Sequence, residues 1–155
     1  MLDAFGGSGV MAFEAASRGA GPVTVVERNR KVAAAVGRAA RELGLDIDVR
    51  VADAKSVLRS GSWDLVFLDP PYRDAPAAWV TRAAGAAASV LIIEHAASKP
   101  VPARAGALEL ERTRRYGDSA LSLYRPRALP GGAEREPVPE DVGVVEGEGE
   151  PVEGG

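Results

Sequence analysis

The stretch Leu2-Asp3-Ala4-Phe5-Gly6-Gly7-Ser8-Gly9-Val10-Met11-Ala12 decides the reading of the fold. Met1 to Phe5 reads as the end of a strand that runs straight into a glycine turn, Gly6-Gly7-Ser8-Gly9. A helix is expected to follow through about Arg18, with Gly19 and Gly21 to stop it. Outward from this unit the alternation continues. Val23-Thr24-Val25-Val26-Glu27 is a run of branched apolar residues, which suits a strand buried on both faces. Asn29 can cap a second helix whose apolar stripe is Val32, Val36, Ala39 and Leu43, ended by Gly44. Asp48 to Val51 makes a third strand and Asp64 to Leu68 a fourth; a helix begins near Pro76, and Ser89 to Glu94 is the fifth strand. This order predicts an α/β fold with a mostly parallel sheet and helices on both faces. After the fifth strand, Leu108 and Leu110 alternate with Glu109 and Glu111, Tyr116-Gly117-Asp118 forms a turn, and Leu121 and Leu123 alternate again. That pattern predicts an antiparallel hairpin closing the sheet.

The chain has 155 residues, room for one domain with a single core. It has no cysteine, which excludes disulfides and thiolate metal sites. No apolar stretch approaches the roughly 18 residues that span a bilayer, and the N-terminus lacks the basic region of a signal peptide. A soluble cytoplasmic protein is expected. The net charge of −3 taken alone argues against a polyanionic partner, but it is unevenly distributed. From Pro126 to Gly155 eight acids face only Arg127 and Arg135, together with seven glycines and five prolines. Such a segment cannot bury enough surface to offset its ordering entropy, so residues 126–155 are expected to be a disordered acidic tail. Residues 1–125 hold 17 bases against 14 acids, a mildly basic body.

The glycine loop is the first site candidate. In doubly wound sheets ligands bind beyond the carboxyl ends of the strands, and Gly7-Ser8-Gly9-Val10-Met11-Ala12 satisfies the G-x-G-x-x-[G/A] nucleotide pattern. Glu27, twenty residues beyond Gly7, stands where a carboxylate accepts both ribose hydroxyls. The loop alone fits NAD or S-adenosylmethionine. Asp3 favours the latter, because it can meet an ammonium group where a pyrophosphate would be repelled. Asp53-Ala54 follows the third strand on the same edge; Asp53 can accept from an adenine amine, cap the helix after it, or do both.

Asp69-Pro70-Pro71-Tyr72 is the most specific element. Two prolines force extended backbone and remove two N–H donors, leaving carbonyl oxygens beside a carboxylate. An exocyclic base amine has two N–H donors. Accepting both, at Asp69 and the Pro70 carbonyl, favours the pyramidal amine whose lone pair can attack. Tyr72 offers a flat face for a flipped base, worth roughly 1–3 kcal/mol.

These residues resemble the amino-group N-methyltransferases that use S-adenosylmethionine, and among them the bacterial 16S ribosomal RNA guanine-N2 methyltransferases of the RsmD type. Leu2 to Gly9 is similar to that family's glycine loop, with Gly6 where alanine is usual, and Glu14-Ala15-Ala16-Ser17-Arg18-Gly19-Ala20 to the segment after it. Val26-Glu27-Arg28-Asn29 resembles the ribose-binding corner, and Phe67 to Tyr72 the catalytic loop. Arg115-Tyr116-Gly117-Asp118-Ser119-Ala120-Leu121 resembles the terminal hairpin, with serine in place of threonine. The resemblance covers residues 1–125 and implies a Rossmann-like class I methyltransferase domain. It implies a cofactor site at Asp3, Phe5, Gly7, Gly9, Glu27 and Arg28, extended by Asp53 and Ala54. It implies catalysis by Asp69, Pro70, Pro71 and Tyr72 without a metal, on 16S ribosomal RNA or a small-subunit assembly particle, by a monomer with no membrane partner.

Family members carry a further segment before the glycine loop, including most of the first strand. Here that strand begins at Met1, so an N-terminally incomplete domain is expected, with a start placed downstream of the true one. The alternative activities are a DNA adenine-N6 or cytosine-N4 methyltransferase, and a non-catalytic cofactor- or RNA-binding remnant. His95 reads as a polar strand end rather than a catalytic base. Arg112, Arg114 and Arg115 fit RNA phosphate contacts and a solvated, pairing-resistant edge equally well.

Overall fold

The computed structural model describes residues 1–127. The elements alternate as β1 (Leu2–Asp3), α1 (Val10–Ser17), β2 (Val23–Glu27), α2 (Arg30–Glu42), β3 (Ile47–Val51), α3 (Ala54–Ser60) and β4 (Trp63–Leu68). They continue as α4 (Pro76–Ala83), β5 (Ala87–Ala96), β6 (Arg104–Ala105), β7 (Leu108–Tyr116) and β8 (Ser119–Pro126). The strands form one eight-stranded sheet in the order β3-β2-β1-β4-β5-β8-β7-β6. From β3 to β5 neighbours run parallel, and β8, β7 and β6 are added antiparallel. The expected α/β, Rossmann-like architecture with a terminal hairpin is the one observed.

The central strand is short yet fully engaged. Leu2 and Asp3 pair with Thr24 and Val25 on one side and with Val66 and Phe67 on the other. Chain order reverses between β1 and β4, which makes their carboxyl ends the switch point where such sheets bind ligands.

Helices cover the sheet unequally. On one face Val26, Val66, Leu68, Leu91 and Ile93 pack against Leu58, Trp79, Val80 and Ala83 of α3 and α4. This cluster extends to Leu108 and Tyr124 of the hairpin. The Tyr124 hydroxyl, within that core, donates to the Pro102 carbonyl at 2.8 Å, and burial pushes its pKa up to about 12. On the other face Ala12, Val23, Val25 and Val36 form a smaller cluster with Phe13, Ile47 and Val49. Burying each Val or Leu contributes about 1.5–3 kcal/mol, so the α3/α4 face carries most of the core stabilisation.

Two expectations are corrected. The buried stripe of α2 is Ala33, Val36 and Ala40; Val32 and Ala39 are half-buried, and Leu43 is 61% exposed. The small residues let the helix lie close against β2 and the edge strand β3, and its last turn overhangs that edge. The short strand β6 was not anticipated; it exists because Arg104 and Ala105 pair back onto Glu109 and Leu108. At the other end β8 runs to Pro126, and the Arg127 N–H donates to the Ala107 carbonyl at 3.0 Å. The rest of the acidic segment, residues 128–155, lies outside the described residues.

Candidate active site

The carboxyl ends of β1 to β4 open onto a cleft of about 750 Å³. Phe5, Gly7, Glu27, Arg28, Asp53 and Ala54 line the half beside the glycine loop, where a nucleotide is expected, and Asp69, Pro70, Pro71 and Tyr72 line the other. Two predicted site residues, Asp3 and Gly9, are not among its walls.

Each residue's place has a local cause. The Gly6 N–H donates to the Val26 carbonyl at 2.8 Å, laying the loop against β2. A Cβ at Gly6 would stand 2.3 Å from Val25 Cγ1, so an alanine here would need the Val25 side chain to turn aside. Gly9 has φ +81° as the N-cap of α1, and a Cβ there would meet the Phe13 ring and Val36 at 2.9–3.0 Å. Gly9 therefore starts the helix, packed against Phe13 and Val36. Glu27 closes the loop: Oε2 accepts from Gly7 N–H at 3.1 Å and Oε1 from Asn29 N–H at 2.6 Å. Each oxygen keeps a lone pair for a ligand hydroxyl. Asn29 caps α2 as expected, accepting from Lys31 and Val32 N–H. Asp53 caps α3 through Oδ1, at 2.8 Å from Lys55 N, as one of its expected roles requires, and also lines the cleft.

Asp3 is only 2% exposed and accepts from the Phe5 N–H at 3.2 Å. Burial pushes its pKa up to about 6, opposed by that hydrogen bond and reinforced by the charges of Asp69 and Glu27. Asp69 also has a raised pKa, chiefly because the cleft strips its hydration and secondly because Glu94 is negative. Among the described residues, no protein donor bonds the Asp69 carboxylate or the Pro70 carbonyl.

The loop after Asp69 is braced from a distance. The Tyr72 hydroxyl donates to Glu94 Oε1 at 3.0 Å and meets the Ser119 hydroxyl at the start of β8. The Lys99 ammonium donates to the Tyr72 carbonyl, and to that of Asp74 at 3.0 Å. Trp79 of α4 bonds Asp74 Oδ2 at 3.0 Å and meets Phe5 edge-to-face at 4.8 Å, joining the two halves of the cleft. Lys99, Glu94 and Trp79 were missed as site residues. Only Glu94, a carboxylate ending a strand on the ligand edge, carried a signal that could have found it. His95 is buried: Nδ1 bonds the Ala96 carbonyl at 3.0 Å and Nε2 the Ser122 hydroxyl at 2.9 Å, so it ties strands together. Among the described residues no three His, Asp or Glu side chains converge as metal ligands.

This cleft sits on a recognised scaffold. Residues 1–125 match the family described as conserved hypothetical protein 95. The chain belongs to that family. A conserved hypothetical protein of Streptococcus pyogenes is 28% identical, with 81% of this chain and 84% of that one covered and a TM-score of 0.73. A candidate methylase of Haemophilus influenzae is 26% identical over the same shares, with a TM-score of 0.72. Magnesium protoporphyrin IX methyltransferase from Synechocystis, solved with S-adenosylmethionine bound, covers 81% of this chain and 69% of its own. Its TM-score is 0.68 at 18% identity, a likeness of fold alone. No curated protein matches the chain.

Proposed function

We propose that this chain transfers a methyl group from S-adenosylmethionine to the exocyclic N2 of a guanine in 16S ribosomal RNA. One observation carries the reading: Asp69 and Pro70 present acceptors that no donor among the described residues occupies, in the same cleft as Glu27 and Asp53. The double proline removes the local N–H groups that would otherwise fill them. An exocyclic amine brings two hydrogens to such a pair, and accepting both frees its lone pair. Tyr72, 45% exposed with its hydroxyl tethered, offers a ring face on which the extruded base stacks.

The nucleotide half suits the cofactor. The volume of the whole cleft lies within the range of small-molecule sites, and Glu27 and Asp53 keep free lone pairs for ribose hydroxyls and an adenine amine. S-adenosylmethionine supplies an electrophilic methyl group on a sulfonium and an ammonium group. Asp3 is desolvated at the base of the loop, so a cation near it would recover electrostatic energy lost on folding. The protein's own contribution is orientation, with Asp69 and Pro70 aiming the amine and Trp79 and Phe5 walling out water. The choice of guanine and of 16S RNA is supported by the resemblance of the Asp69 loop and the Arg115–Leu121 hairpin to the RsmD type.

The test is Asp69→Ala, assayed for tritiated methyl incorporation into ribosomal particles and, by calorimetry, for cofactor binding. Transfer should be abolished with cofactor affinity nearly intact; equal loss of both removes the role given to Asp69. Wild-type protein that methylates naked DNA in preference to ribosomal RNA would reassign the substrate to adenine N6 or cytosine N4. No binding heat and no thermal stabilisation by cofactor would indicate a non-catalytic remnant.

A further inference from the structure

We infer that the Arg112–Tyr116 half of β7 is a track for the single-stranded RNA that flanks the target base. In it, Tyr116 is a stacking platform and Arg114 and Arg112 are successive phosphate contacts. The inference rests on the RNA substrate proposed above and specifies the surface that holds it.

Register places these three side chains together. An irregularity between Leu110 and Arg112 resets the alternation of β7, after which Arg112, Arg114 and Tyr116 lie opposite Leu123, Leu121 and Ser119. Leu121 is in turn opposite Glu94 of β5. This is the face on which the Tyr72 hydroxyl reaches both Glu94 and Ser119. Tyr116, 57% exposed, therefore heads a row that begins beside the Asp69 loop and leads away from it. Side chains two apart on a strand are spaced by about 6.8 Å, of the order of one nucleotide in an extended strand. Beneath the row lie the half-buried Leu121, Leu123 and Ile92, an apolar floor for base faces.

Charge divides β7 in the same place. At its other end Glu109 pairs with Arg104 at 3.0 Å and Glu111 with Arg125 at 2.8 Å. Among the described residues no acid pairs with Arg112 or Arg114. β6 covers only Leu108 and Glu109, which leaves the arginine half as a free sheet edge. Edge protection alone would explain charges there. It does not explain an exposed tyrosine and two unneutralised arginines on the one face that adjoins the catalytic loop. Cations that track a backbone beside an aromatic platform are the recurrent form of single-strand recognition.

The test uses the full chain, a fluorescent single-stranded RNA of about 12 nucleotides and a salt titration. The variants are R112E/R114E and Y116A, with R38E on α2 at the opposite end of the sheet as the charge control. Affinity should fall by about tenfold or more in the double variant, and the log–log salt slope should shrink by about 1.4, the value for two lost single-strand contacts. Y116A should lose about fivefold or more with its salt slope unchanged. R38E should bind as the wild type does, and cofactor affinity and melting temperature should hold in all three. Wild-type affinity in R112E/R114E, or an equal loss in R38E, overturns the track while leaving the proposed function standing. Wild-type protein that neither binds nor methylates RNA overturns both.

Discussion

The two halves of the cleft hold their carboxylates in opposite ways. On the nucleotide side Glu27 accepts from two backbone N–H groups and Asp53 from one, donors that also shape the loop and cap a helix. On the other side, among the described residues, no protein donor reaches the Asp69 carboxylate, and the two residues after it are prolines. A carboxylate held by backbone donors is fixed in place, with its remaining lone pairs aimed at the cleft. One left without donors is costlier to keep charged, and its raised pKa records that cost. The Asp69 half is stiffened instead through its flanks, by Lys99, Glu94 and Ser119 acting on Tyr72 and Asp74. In the proposed function, binding and catalysis are thus divided by where the hydrogen bonds fall.

That contrast can be broken experimentally. Glu27→Ala removes two charge-assisted hydrogen bonds as well as the ligand contact, so the cofactor dissociation constant should rise by about 100-fold, with kcat at saturating cofactor changed far less. An equal fall in kcat would mean that the halves do not act separately. Asp3→Asn tests the residue at their junction. Its folded pKa of about 6 exceeds the ordinary aspartate value of 3.8, so folded protein holds the extra proton between them. Stability therefore falls as pH rises through that window. The variant should lose this dependence and gain about 2 kcal/mol at pH 7 in denaturant titrations, while binding cofactor more weakly. A stability profile identical to wild type would contradict the desolvated carboxyl. Glu94→Gln should have the smallest effect. With the negative charge gone, the Asp69 pKa drops and the acid limb of the rate profile moves to lower pH, cofactor affinity being unchanged. A limb that stays in place would show that Asp69 does not control it.

The nucleotide half was legible in the sequence because its contacts are local or fall at a known spacing. Asn29 and Asp53 cap helices that begin one residue later, and the spacing of Glu27 from Gly7 follows from one strand–helix–strand unit. The order of the elements was legible for a similar reason: periodicity and punctuation act within a few residues. The bounds of β2, Val23–Glu27, needed nothing beyond its branched apolar run. The stripe of α2 was misread because the partner surface, an edge strand, decides which flank of a helix is covered.

Sequence by itself thus determined the α/β order, the glycine turn, the caps, and the identity of Asp69 and its prolines. Tertiary structure alone decided that Gly9 turns inward, that Asp3 is buried, and that Tyr72 is braced by residues 22, 27 and 47 positions away. The reason is range. Turns and caps are set by backbone torsions and hydrogen bonds between near neighbours. Burial and bracing depend on sheet register, which brings distant residues together only when the whole sheet has formed.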